Sequence, residues 1–185
     1  MIISNHISGI VNKNLKVKNL SKKDLSYPNP IEITSLNGSD SRCKIKFNVL
    51  PYRDVVEDIK VDKYILKKRF IEALFSRKYS TKMINSPDHL IFLTSLVHLQ
   101  KMIYVYLCYE FGLSMSISGK EKIKVWPTKI KVDMRNMITQ KTKLKQSIEI
   151  KGLRKTSETT YFGKCLSLIN DGEATITADA VIYLL

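Results

Sequence analysis

The sequence predicts an α+β protein in which a curved antiparallel sheet wraps around one long buried helix. Three observations carry this. The stretch from Leu90 to Phe111 is apolar on nearly every side over a helical length. After it the hydrophobic period changes from about 3.6 to 2 for the rest of the chain. Ahead of it, residues 42–49 already alternate with period two. A soluble helix that is apolar all round must be surrounded by protein, and the sheet is what surrounds it.

Residues 1–30 read as an N-terminal arm that ends in the loop chemistry of Tyr27-Pro28-Asn29-Pro30. Residues 31–185 read as one domain. Ile31 to Leu36 is a short strand, and Asn37-Gly38-Ser39-Asp40 is a turn. Cys43, Ile45, Phe47 and Val49 alternate with Arg42, Lys44, Lys46 and Asn48, the pattern of a half-buried strand that Pro51 ends. Asp62 is placed to cap a helix whose apolar face is Leu66, Phe70 and Leu74, with Ile71 and Phe75 alongside. Ser86 fits the N-cap of the long helix, Pro87 its first position and Asp88 the positive end of its dipole. Gly112 stops it.

Beyond the helix, Ile130, Val132 and Met134 alternate with Lys129, Lys131, Asp133 and Arg135. Leu144, Ile148 and Ile150 alternate with Lys143, Lys145, Ser147, Glu149 and Lys151. Tyr161 to Ile169 is a less polar strand. Asn170-Asp171-Gly172 is a tight hairpin signal, and Ile176, Ala178, Ala180, Ile182 and Leu184 alternate after it. Short turns join the last strands, so the C-terminal 60 residues or so should form an antiparallel meander.

Charge narrows the partners. Thirty-one basic residues against seventeen acidic ones give +14. Residues 113–156 hold twelve basic and three acidic residues, so +9 of that charge is regional. Such a surface favours anionic partners. Lysine outnumbers arginine about four to one, which also fits a diffuse solvated lysine surface. Cys43, Cys108 and Cys165 are odd in number and lie in apolar stretches, which indicates free buried thiols in a reducing compartment. No CxxC or Cys/His cluster indicates a metal, and no Gly-rich phosphate loop indicates a nucleotide. No cofactor is expected. The N-terminus has no basic run ahead of its apolar residues, and His98, Gln100, Lys101 and Glu110 make the long helix too polar to span a bilayer. A cytoplasmic protein without a membrane partner is the expectation.

The order of one or two strands, a long apolar helix and about four antiparallel strands resembles the hot-dog fold of acyl-CoA thioesterases and 3-hydroxyacyl-carrier-protein dehydratases. SPDHLIFLTSLVHLQKMIYVYLCYEFGL followed by KVWPTKIKVDMRNMI is also similar to the hot-dog segments of the avirulence D and A-factor-biosynthesis families. The resemblance implies chemistry on an acyl thioester, by dehydration or hydrolysis, in making an acylated or polyketide-type metabolite. It implies acyl-CoA or an acidic acyl carrier protein as partner, and a homodimer. The alternative is an acyl-binding or accessory module without catalysis. The dehydratase pattern is incomplete here: no Pro-Gly follows His89, and the helix interior has no Asp or Glu before Glu110.

On this reading Asp88 and His89 are the catalytic pair, a carboxylate and an imidazole at a helix mouth suited to general acid/base work. A capped helix end with an exposed histidine is the plainer alternative. Gln100 is placed to hold a thioester carbonyl or to make a buried helix or sheet contact. His98, two and a half turns from His89, is a core histidine. Lys129, Lys131 and Arg135 line one face, with Trp126 and the strand beginning at Lys143 nearby; these form the docking side for CoA or a carrier. A basic nucleic-acid-binding domain is the third and least favoured reading: it explains the charge but not the apolar helix, and stacking would need several aromatic residues on that face, where only Trp126 is placed.

Overall fold

A computed structural model describes residues 31–33, 42–48, 54–113 and 123–185. The N-terminal arm, the Asn37–Asp40 turn, Val49 and Pro51 lie outside the described residues. The strands are β1 (Ile31–Ile33), β2 (Arg42–Asn48), β3 (Asp54–Lys67), β4 (Phe70–Thr81), β5 (Ile123–Met134), β6 (Leu144–Lys155), β7 (Thr160–Ile169) and β8 (Ala174–Leu184). The helix α1 is Phe92–Glu110. The strands form one antiparallel sheet of order β1-β3-β4-β6-β7-β8-β5, and β2 shares the β3 edge with β1. The helix touches β2, β3, β4, β5 and β6, which the sheet achieves by curving around it. This is the hot-dog arrangement that the order of elements predicts.

Residues 62–75 depart from expectation: they form a β-hairpin, not a helix. Val55, Ile59, Val61, Ile65 and Ile71 favour a pleated surface. Leu66 pairs with Ile71 and points inward, whereas Phe70 and Leu74 fall on the opposite parity of β4 and stay half-buried. The supposed apolar face is therefore split between two sides of a sheet. Asp62 is no cap; it sits at the bulge between Val61 and Lys63. The turn is Lys68-Arg69, with Arg69 at φ 57°.

The long helix begins at Phe92, six residues later than Ser86. Tertiary bonds hold the intervening chain extended. The Leu90 N–H donates to the Ile138 carbonyl at 2.8 Å, and the Ile91 N–H to Glu57 Oε2 at 3.0 Å. The Ser86 hydroxyl pairs with the Tyr79 hydroxyl at 2.9 Å instead of capping. The other end stops as expected. Gly112, at φ 63°, donates to Tyr109, and Leu113 donates to Cys108, a Schellman motif. Nor is the helix enclosed on every side: Phe92 is 45% and Leu93 37% exposed, whereas Thr94, Ser95 and His98 are buried. The inner face of the sheet is polar at this end, and the helix turns its polar residues towards it.

The C-terminal meander is three strands, β6-β7-β8, with the parity the sequence predicts. Leu144, Ile148, Ile150, Ile176, Ala178, Ala180 and Ile182 all point inward and are buried. The loop Asn170–Gly172 forms a tight turn with positive φ at all three residues. However, β5 does not pair with β6. It adds beyond β8, pairing Ile123 with Leu184 and Met134 with Ala174. The chain between β5 and β6 instead runs back to β4, where the Arg77 N–H meets the Lys141 carbonyl at 2.8 Å.

Candidate functional site

Two parts of the α1–sheet interface differ from an ordinary apolar core. Under the C-terminal half of the helix the sheet offers small residues: Gly163 and Cys165 on β7, Ala178 and Ala180 on β8. Ile103 and Leu107 of α1 roof them. Short side chains below and branched ones above leave an apolar hollow of about 30 Å³. Gly163 borders it closely, since a Cβ there would lie 3.1 Å from Ile182 Cδ1. Burial pushes the Cys165 thiol up to about 11, so it lines the hollow as a neutral group.

Under the N-terminal half the interface is polar. Arg77 on β4 is enclosed, and each face of its guanidinium is used. Nη1 contacts Glu57 Oε1 at 3.0 Å and Asp88 Oδ1 at 2.8 Å. Nε donates to the Gln140 carbonyl at 2.9 Å, and Nη2 lies 3.3 Å from the Thr139 carbonyl and 3.4 Å from that of Ile138. Burial raises the Glu57 pKa, against the pull of the Thr94 hydroxyl, the Ile91 N–H and Arg77. Partial burial also acts upward on Asp88, but Lys141, at 2.7 Å, and Arg77 outweigh it and hold that carboxyl below its usual value.

Beside this cluster runs a neutral chain. His98 Nδ1 lies 2.7 Å from Gln146 Oε1, and Gln146 Nε2 donates to Ser167 Oγ at 3.0 Å. The amide oxygen accepts, so Nδ1 carries the proton. Burial drives the His98 pKa down to about 4. The imidazole is neutral and its Nε2 is buried without a hydrogen bond. The Phe75 ring packs edge-on against it at 4.8 Å.

The structure separates the residues singled out from sequence. Asp88 goes to Arg77 and Lys141. His89, half-buried, sets Nδ1 2.9 Å from the Pro87 carbonyl, with its ring 6.3 Å from that of Tyr79. Gln100 is exposed on α1. Trp126, Lys129 and Lys131 share the outer side of β5, and Arg135 follows just beyond it, 3.6 Å from Asp133. Lys143 does not join them: it precedes β6 at φ 57°, and β7 and β8 stand between. The hollow begins at Ile103, eleven residues into the helix, which places it ~16 Å from the end that carries Asp88 and His89. Glu57, Arg77, Gln146 and Ser167 were not singled out. Their signal was available: each takes an inward place in an apolar alternation, as Gln146 does between Leu144 and Ile148. Among the described residues no group of three or more His, Cys, Asp or Glu is arranged to hold a metal. No described helix is long and apolar enough to cross a membrane.

No family model matches the sequence, and no curated protein matches it. Among solved structures the likeness is distant. A thioesterase from Haemophilus influenzae is 10% identical over 69% of this chain and 79% of its own, with a TM-score of 0.41. A thioesterase family protein from Silicibacter pomeroyi is 16% identical over 69% of this chain and 85% of its own, with a TM-score of 0.36. A hot-dog protein from Alicyclobacillus acidocaldarius is 9% identical over 77% of this chain and 51% of its own, with a TM-score of 0.36. The assignment rests on the chain's own topology: one helix gripped by a curved, wholly antiparallel sheet is a hot-dog fold.

Proposed function

We propose that the protein binds the acyl part of an acyl thioester in the hollow beneath Ile103 and Leu107. The observation that carries this is the free volume itself, apolar and floored by small residues. Its size is roughly one-fifth of a cavity known to admit benzene, which gives room for the terminal methyl of an acyl chain and makes the shortest chains the candidates. Lys164 borders the hollow and is exposed, and Lys129 and Lys131 lie across the outer sheet, giving CoA phosphates or an acidic carrier protein a cationic approach. A homodimer belongs to the reading, since among the described residues β5 ends the sheet, and Phe92 and Leu93 are exposed. Binding is favoured over turnover by Asp88, because two cations occupy its oxygens and the Ile91 N–H at the helix start is taken by Glu57. A turnover reading rests on His89, whose ring the Pro87 carbonyl orients, and needs a thioester placed at the Phe92 end of α1, ~16 Å from the hollow.

Calorimetry with a series of acyl-CoA thioesters tests this. Short chains should bind, Leu107→Ala should move the preference to longer chains, and Gly163→Val should abolish binding in a protein that still melts cooperatively. An unchanged chain-length profile in both variants would discard the hollow as the acyl site. Release of free CoA that His89→Ala abolishes, with affinity retained, would establish turnover.

A further inference from the structure

The strand register places on the outer sheet face something the sequence shows only in part. Antiparallel partners point to the same side. Trp126 pairs with Val181, which pairs with Phe162, which pairs with Arg154. One row across four strands therefore reads Arg154, Phe162, Val181, Trp126, on the face away from α1. Two residues further along, ~7 Å, the next row carries Lys164, Asp179 and Lys129. On the other side Tyr183 pairs with Lys124. Aromatic rings and cations thus interleave on one open surface. Trp126 is 69% and Tyr183 42% exposed, and Lys124, Lys129, Lys164 and Arg154 are exposed as well. The Lys164 ammonium stands 5.8 Å over the Phe162 ring. Asp179 lies between two lysines and does not reverse the sign of its row.

We infer that this outer face binds single-stranded nucleic acid, with bases stacked on Trp126 and Phe162 and phosphates along the lysine row. An acidic protein partner needs only the charge. It leaves unexplained a tryptophan held more than two-thirds in water with a second aromatic ring ~10 Å away, two strand spacings across the outer face. Stacking is worth about 1–3 kcal/mol per base and tolerates any base, whereas a duplex hides the base faces. The hollow lies on the opposite side of the sheet, so the Leu107 and Gly163 variants test the acyl reading alone and Trp126→Ala tests this face alone; only Lys129 and Lys164 are shared between the two.

Trp126 is the chain's single tryptophan, so its fluorescence reports on this site alone. A short fluorescein-labelled oligothymidylate is titrated with the protein at low salt, following anisotropy and tryptophan quenching together. Binding should quench Trp126, and Trp126→Ala should weaken it about tenfold or more. Since the ring is exposed, that variant should keep its melting temperature. Lys129→Glu and Lys164→Glu should each lower affinity and flatten the salt dependence by about 0.7 in the slope of log K against log salt. Absence of binding at low salt overturns the inference. So does a duplex bound as tightly as the single strand. Polyphosphate or polyglutamate bound as tightly, with Trp126→Ala unaffected, overturns it too and makes the face a general polyanion surface.

Discussion

The two halves of α1 meet the same sheet on opposite terms. Near Phe92 the inner face presents Glu57, Arg77, Gln146 and Ser167, and the helix answers with Thr94, Ser95 and His98. Near Glu110 it presents Gly163, Ala178 and Ala180, and the helix answers with Ile103 and Leu107. Buried polar groups demand partners at hydrogen-bond distance, so the first half is tied tightly and specifies geometry. Apolar contacts are non-directional and tolerate a gap, so the second half can hold spare volume. Rigidity and room thus occupy different ends of one helix.

The strongest way to break the contrast is to orphan a charge at the polar end. Arg77→Ala should destabilise the fold by about 3–5 kcal/mol by urea denaturation, because Glu57 would be left buried and unpaired. Replacing the pair together, Glu57→Leu with Arg77→Met, should recover most of that loss. An additive outcome would show that the two side chains act independently. An inserted charge gives a comparable effect: Ile148→Asp, at a wholly buried position, should cost several kcal/mol.

Acid should distinguish the two ends next. His98 has a folded pKa of about 4 against an ordinary 6.5. The unfolded chain therefore binds more protons between those values. This contribution is fully present above pH 6.5, is lost as the pH falls towards 4 and changes no further below it. The loss is about 3 kcal/mol, and His98→Phe should flatten the curve of stability against pH in that window. At the apolar end, Leu107→Ala should cost ~2–5 kcal/mol but leave the pH curve unchanged. The smallest effect belongs to the surface. Lys145→Asp removes only an exposed pair with Asp171 at 3.2 Å and should change stability by less than about 1 kcal/mol. A loss as large as that of Ile148→Asp would mean that the β6 register is wrong.

What could be read from the sequence was what local chemistry determines. The parity of β6 and β8, the turn at Asn170–Gly172 and the stop at Gly112 each follow from residues within a few positions. The β3–β4 hairpin was hidden for two local reasons. A bulge at Val61/Lys63 breaks its alternation, and its turn, Lys68-Arg69, lacks the glycine or asparagine that signals one. The start of α1 and the partner of β5 were hidden because distant groups decide them. Asp88 reads as an anion at a helix mouth, but Arg77 and Lys141, which fix its state, come from β4 and from the chain before β6. Of the site, the shared face of Lys129 and Lys131 was legible from alternation; Trp126 joins it only through the bulge at Pro127/Lys129, and the hollow was hidden because its free volume is set by five separated segments.

The position of β5 also sets a timetable for synthesis. Its neighbour in the sheet is β8, which starts at Ala174, forty residues after β5 ends at Met134. At roughly 5–20 residues per second, the ribosome takes about 2–8 s to make that interval. For those seconds a lysine-rich strand already made must wait unpaired, and its charge is what keeps a waiting strand from joining a neighbour's sheet. The lysines of β5 thus have a task during synthesis, whatever the folded face binds.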